Sequence, residues 1–353
     1  EVKTVLTRDT VGASWKYKMN FRWMPSEALY GLGSHMEDYM NLKGKELYLC
    51  QHNLKAMVPV INSTAGYGLL FDAGCSMLFR DTEEVGYVEL EAAKQIDYYF
   101  MKGKTMDAVI ANYRLLTGKS PMMPLYLFGY IQSKERYVSS DDLINTLKLF
   151  RQKQIPVDMI VQDWNYWPDG QWGRMSMNPT FYPDKKKLAD EIHAMNAKLM
   201  ISIWPNAVNS PQTDDFKQKG LLFNGTTVYD AFNPLGRDLY WNYANKEFFS
   251  NGFDAWWCDS SEPLDADWKF MDASYGPDSH ERRWKLNTEI LIDALGAERR
   301  QLYSLYHAMG IYENQRATNA SKRVVNLTRS SYAGQQRFST ITWNGDTHAT
   351  WKS

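Results

Sequence analysis

The sequence predicts an α/β protein in two parts: an antiparallel β-sandwich over residues 1–120, then, over 121–353, the first six units of a (β/α)8 barrel. Three observations carry that reading. Up to about residue 100, polar and apolar residues alternate in short runs broken by Gly and Asn, the pattern of strands with one buried face. From residue 125 onward, runs of strand length alternate regularly with helical ones. No Gly-rich dinucleotide loop follows the first of these strands, which favours a barrel over a doubly wound sheet.

In the first part the strand-like runs are residues 14–19, 46–50, 67–71 and 87–90. Residues 106–116 then show helical amphipathic spacing, and Pro121 with Pro124 marks a boundary. Barrel strands are expected at 127–132, 157–163, 199–204, 253–259, 323–329 and 341–343. Helices are expected between them: at 139–154, where Leu143, Leu147 and Phe150 share a face, at 186–196, near 238–251, and as helical turns over 281–309. Seven residues follow Asp346, so two further units are expected to lie outside this stretch. A barrel short of two strands has two apolar edges and is not expected to be stable alone.

Composition narrows the partners. Forty basic residues against 41 acidic ones leave a net charge of -1, with no excess to attract nucleic acid or an anionic membrane surface. No stretch approaches the roughly 18 consecutive apolar residues of a membrane span. Aromatic residues make up 14% of the chain, including 13 Trp and 22 Tyr, which suits a cleft for neutral sugars and equally suits a large aromatic core. Cys50, Cys75 and Cys258 form no CxxC pair, and His193 and His307 fall in helical stretches. No metal, cofactor or disulfide framework is expected.

The barrel strand most suggestive of chemistry is the fourth. Phe253, Ala255, Trp256, Trp257 and Cys258, interrupted by Asp254, read as a strand buried on both faces, and the run ends abruptly at Asp259. Polar residues at the C-terminal ends of barrel strands are where such folds carry catalysis. A second reading stands beside it: Asp259 with Glu262 three positions on also fits a helix capping box. The other candidates have similar alternatives. Asn344-Gly345 before Asp346 is a turn signal, Arg329 fits a buried ion pair, Asp163 a loop cap, and Trp204 beside Pro205 core packing.

Several motifs in a fixed order resemble glycoside hydrolase family 31. They are Ala28-Leu-Tyr-Gly-Leu-Gly33, Asp97-Tyr-Tyr-Phe100, Leu116-Thr-Gly118, Ile155-Pro-Val-Asp158, Asp230-Ala-Phe-Asn-Pro234, Trp257-Cys-Asp-Ser-Ser-Glu-Pro263, Thr328-Arg-Ser-Ser-Tyr-Ala-Gly-Gln-Gln-Arg337 and Trp343-Asn-Gly-Asp346. The resemblance implies a TIM-type barrel and a retaining exo-α-glycosidase acting on an oligosaccharide or glycoside without cofactor or metal. It implies that Asp259 is the nucleophile and Asp346 the general acid/base. Arg329, Asp163 and Trp343 match substrate-binding positions, Trp204 and Trp257 the walls, and Trp164 with Asn165 the loop that reads the terminal sugar. Ser260 and Ser261 depart from the Met-Asn that commonly follows the nucleophile in α-glucosidases, and Thr347 from the usual Asn after the acid/base.

Asn165 is neither the Asp of α-glucosidases nor the bulky apolar residue of α-xylosidases, as the family aligns. The surrounding Trp164, Tyr166, Trp167, Gln171, Trp172 and Gly173 resemble the α-xylosidase branch, so α-xyloside and α-galactoside are expected ahead of α-glucoside. An α-transglycosylase shares every one of these residues. A carbohydrate-binding pseudoenzyme is disfavoured because both Asp259 and Asp346 are present.

Overall fold

Alternation with period two organises the N-terminal part. A computed structural model describes residues 7–11, 13–35, 37–82, 85–263, 289–347 and 351. In chain order its first strands are β1 (Thr7–Val11), β2 (Ser14–Phe21), β3 (Leu29–Ser34), β4 (Glu46–Leu49), β5 (Ala56–Ser63), β6 (Tyr67–Phe71), β7 (Met77–Asp81), β8 (Gly86–Ala93) and β9 (Tyr98–Lys102). They pair antiparallel into two sheets, in the orders β1-β2-β8-β7-β4 and β3-β5-β6-β9. Met19, Leu47, Phe79 and Val88 from the first sheet share one buried cluster with Leu29, Ile61, Leu69 and Phe71 from the second. This is a β-sandwich, its inner faces interdigitating in a single core.

The second part switches period. Strands β10 (Ile131–Gln132), β11 (Met159–Gln162), β12 (Lys198–Ile203), β13 (Ala255–Cys258), β14 (Asn326–Thr328) and β15 (Thr340–Thr342) lie side by side in sequence order, every neighbouring pair parallel. Helices Ser140–Gln152, Lys185–Ala194, Pro211–Gln218 and Pro234–Glu247 cover the outer face, each started by a side-chain cap: Ser139, Asp184, Ser210 and Asn233 accept from backbone amides of the first turn. Outward-facing Ile160, Leu199, Ile201, Ile203, Trp256 and Cys258 pack beneath these helices, together with Leu143, Leu188, Tyr240 and Trp241. Inward-facing Met159, Val161, Met200, Ala255, Val325 and Leu327 fill the barrel interior.

One helix joins the two parts. Tyr303–Thr318 buries Tyr303 and Ile311 in the barrel core and Leu305 and Ala308 in the sandwich core, which is why it lacks a polar face. Just before it, the fully buried Arg300 pairs with Glu91 of β8, and Gln301 donates to Ser76. His307 lies inside this junction with Tyr229, 2.7 Å away, and burial pushes it down to about 3, so it is neutral. His193 at the end of its helix instead holds Asp254 at 2.7 Å. Asp254 also accepts from the Leu199 amide and faces Lys322, and these partners outweigh burial and keep its carboxyl below the usual range. The Asp that interrupts the apolar run thus fastens β13 to the lower end of β12.

Some elements differ from expectation for identifiable reasons. The first barrel strand is not 127–132: Leu125–Phe128 forms a 3₁₀ turn after Pro124, and pairing is confined to Ile131–Gln132, which has a neighbour on one side only. The fifth strand shortens to Asn326–Thr328. The helix expected near 238–251 begins earlier, at Pro234 behind the Asn233 cap, because proline at the first turn needs no amide partner. Of the turns expected over 281–309, residues 281–288 lie outside the described residues, residues 289–295 are helical, and the later helix runs on to Thr318.

Trp256 tests this core, because it is 1% exposed, stands between β13 and the outer helices, and donates its indole N–H to Gln315 at 2.8 Å. Trp256→Ala is expected to cost about 3–5 kcal/mol. The denaturant midpoint measures it; a loss under about 1 kcal/mol would mean that this side chain is not packed as described.

Candidate active site

Strand parity brings the predicted residues together. Met159 and Val161 of β11 point into the barrel, so Asp163, two positions beyond and just past the strand, shares their face. Ala255 and Trp257 do the same for Asp259 after β13, and Val325 and Leu327 for Arg329 after β14. Ile341 and Trp343 continue the pattern at β15. All lie at or just past the C-terminal ends of parallel strands, where a barrel presents its site.

Arg329 is the centre of the arrangement. Its side chain is 3% exposed, and its Nη1 lies 3.3 Å from Asp259 Oδ1 and 3.5 Å from Asp346 Oδ2. Its Nε donates to Glu262 Oε1 at 2.8 Å, and its Nη2 to Ser260 Oγ at 3.3 Å. Glu262 is wholly buried, so this pair neutralises the guanidinium inside the fold while Nη1 faces the cleft. That geometry decides against the capping box: residues 259–263 form turns, and the Glu262 carboxylate is turned toward Arg329. Asp259 Oδ1 accepts from the Ser260 amide at 2.7 Å, and its own N–H continues the ladder to Ile203. Among the candidate carboxyls Asp259 is 22% exposed and Asp346 69% exposed.

Asp163 stands across from this pair. Burial raises its carboxyl to about 7; the Trp164 amide and the Ser202 hydroxyl oppose the rise, and the charges of Asp259 and Asp346 add to it. Trp257 and Trp343 meet with ring centroids 4.8 Å apart and form an aromatic wall over the barrel interior. Trp204 is different. It is 3% exposed and packed edge-on against Trp167 and Trp172, with its carbonyl held by Tyr240, so it belongs to the core under the outer helices rather than to the wall. Trp164 is partly buried against Trp172 with the Arg136 guanidinium over its ring.

Asn165 is exposed and adopts a left-handed backbone, φ 57°. Asparagine tolerates that conformation better than most residues, so the turn gives a conformational reason for an Asn at this position beside any contact with a sugar. Two residues of the site had no place in the sequence reading. Ser260 as a partner of Arg329 is one. Asn53, from the sandwich, is the other: its side chain bonds Asp346 twice. No local pattern reports a contact made 293 residues away.

A parallel barrel sheet here gathers carboxyls around one buried arginine at the end of the strands where such barrels present their sites. Residues 120–353 match the family described as "Glycosyl hydrolases family 31 TIM-barrel domain", and the chain belongs to that family. An alpha-xylosidase of Saccharolobus solfataricus is 37% identical over 352 residues, covering 96% of this chain and 46% of that protein. Alpha-xylosidase A of Aspergillus niger is 26% identical over 96% of this chain and 49% of its own length. Among solved structures, a GH31 alpha-xylosidase from a soil metagenome complexed with xylose superposes with a TM-score of 0.85 at 27% identity, over 98% of this chain and 51% of that one. The chain spans about half the length of these relatives.

The raised Asp163 carboxyl makes stability depend on pH in a definite direction. Between its ordinary value of 3.8 and about 7 the folded protein keeps this proton and the unfolded chain does not, so unfolding releases a proton and stability falls as pH rises through that window. Asp163→Asn removes the effect. The variant's melting temperature should gain on the parent's from about pH 4 to 7 and run parallel above it; a gap independent of pH would show that Asp163 is not so perturbed.

Proposed function

We propose that this protein is a retaining exo-α-glycosidase that removes terminal α-xylosyl residues from oligosaccharides or glycosides. The observation that carries the reading is the single guanidinium nitrogen shared by Asp259 and Asp346. Two oxygens at 3.3 and 3.5 Å from one atom can be no farther apart than those lengths laid end to end. That limit accommodates the roughly 5–5.5 Å of retaining pairs and excludes most of the roughly 6.5–9.5 Å range of inverting ones.

In this reading Asp259 attacks the anomeric carbon as a carboxylate. The bond to the leaving oxygen breaks as Asp346 delivers a proton to it, and a covalent glycosyl-enzyme forms. Asp346, now ionised, takes a proton from water, which attacks the same carbon and returns Asp259 as a carboxylate. Arg329, its Nη1 3.3 Å from Asp259 Oδ1, sets a positive charge beside the attacking carboxylate. Asp163 binds hydroxyls of the sugar, against the wall of Trp257 and Trp343. The α-xylosyl preference rests on the tryptophan-rich loop around Asn165, and on the relatives named alpha-xylosidase.

Two measurements test these assignments. A fluorinated α-xylosyl donor should label Asp259, and Asp259→Ala should abolish labelling; label on Glu262 instead would show that Asp259 is not the nucleophile. On a panel of aryl α-glycosides, kcat/KM should be highest for α-xyloside. A higher kcat/KM for α-glucoside or α-galactoside than for α-xyloside would overturn the sugar assignment.

A further inference from the structure

Asp346 sits on an exposed turn, its Oδ2 3.5 Å from Arg329 Nη1. Its hydrogen bonds come from the sandwich. The Asn53 amide nitrogen donates to Asp346 Oδ2 at 2.7 Å, and its amide oxygen accepts the Asp346 backbone N–H at 3.0 Å. A backbone N–H can only donate, so the amide's orientation is determined: its oxygen faces the main chain and its nitrogen the carboxyl.

The contact is seated tightly. Gly345 has φ +81°, and a Cβ there would lie 2.5 Å from Asn53 Oδ1 and 2.6 Å from the Leu54 nitrogen. The loop bearing Asn53 is closed by backbone bonds between His52 and Lys55, with Leu54 left-handed at φ 78°. Its base is Gln51, 1% exposed, which bonds Met57 in both directions and donates to the Ser331 carbonyl at 2.6 Å. Ser331 is two residues beyond Arg329. One loop of the sandwich is therefore registered on the segment carrying Arg329 and on the carboxyl facing it.

We propose that Asn53 is a positioning residue for the acid/base, an inference that rests on the assignment of Asp346 above. With the Asn53 amide and Arg329 Nη1 both against Oδ2, that oxygen acts as an acceptor and the transferable proton is carried on Oδ1. Asn53 also holds the Asp346 backbone amide, and so fixes the turn that aims Oδ1 at the leaving group.

The test is a double-mutant cycle in the full-length protein, with kcat/KM measured on aryl α-xylosides of good and poor leaving groups. Asn53→Ala is expected to lose about 10- to 100-fold on poor leaving groups and less than about threefold on the most activated. In an Asp346→Ala background it should cost nothing further. Asn53→Asp has the same shape, keeps the acceptor for the Asp346 amide, and sets an oxygen against Oδ2; it should lose at least as much, and it serves if the alanine variant does not fold. Equal losses on both leaving groups, or losses that add to those of Asp346→Ala, would reduce Asn53 to a structural role and overturn the inference. If Asp346→Ala itself is insensitive to the leaving group, the acid/base assignment falls first, and this inference with it.

Discussion

A guanidinium withdrawn from water depends on the anions around it, and the site depends on the one at Arg329. Its partners divide by burial. Glu262, with no exposure, balances the charge within the fold, and Ser260 takes a second edge of the guanidinium, leaving Nη1 to face Asp259 and Asp346. The arginine thus sets one cation among carboxyls that come from separate segments of the chain. The geometry traces back to packing: Val325 and Leu327 are apolar and face the barrel interior, and parity then aims Arg329 above them into the site.

Desolvation holds the Asp163 proton to about 7, and the charges of Asp259 and Asp346 add to the rise. Asp259 lies against Arg329 Nη1 at 3.3 Å. The aromatic residues divide by position. Trp257 and Trp343 stand at the barrel mouth, while Trp204, Trp167 and Trp172 pack together in the core under the outer helices.

Much of the barrel was legible because its signals are local. The apolar runs ending at Gln162, Ile203 and Cys258 are strands, and the order of the six strands in the sheet follows the order in the chain. Boundaries were less legible: β10 is two residues long because Leu125–Phe128 is taken up by a 3₁₀ turn after Pro124. The Asp230-to-Pro234 stretch was noticed as a motif, but its role as the start of a helix lies in the cap formed by Asn233. Within the site, the strand-end carboxyls could be read from parity. The Arg329–Glu262 pair and the Asn53–Asp346 bridge could not, because contacts between distant segments exist only once the chain is folded.

The central claim is that Asp259 and Asp346 face each other across a single sugar at the separation of a retaining pair, and the configuration of the first product tests it most directly. Proton NMR of an aryl α-xyloside digest, followed from the earliest minutes, distinguishes the anomers before they equilibrate. Double displacement predicts that α-xylose appears first and β-xylose only later by mutarotation. Release of β-xylose first would mean a single inverting displacement, and would contradict the roles of nucleophile for Asp259 and acid/base for Asp346.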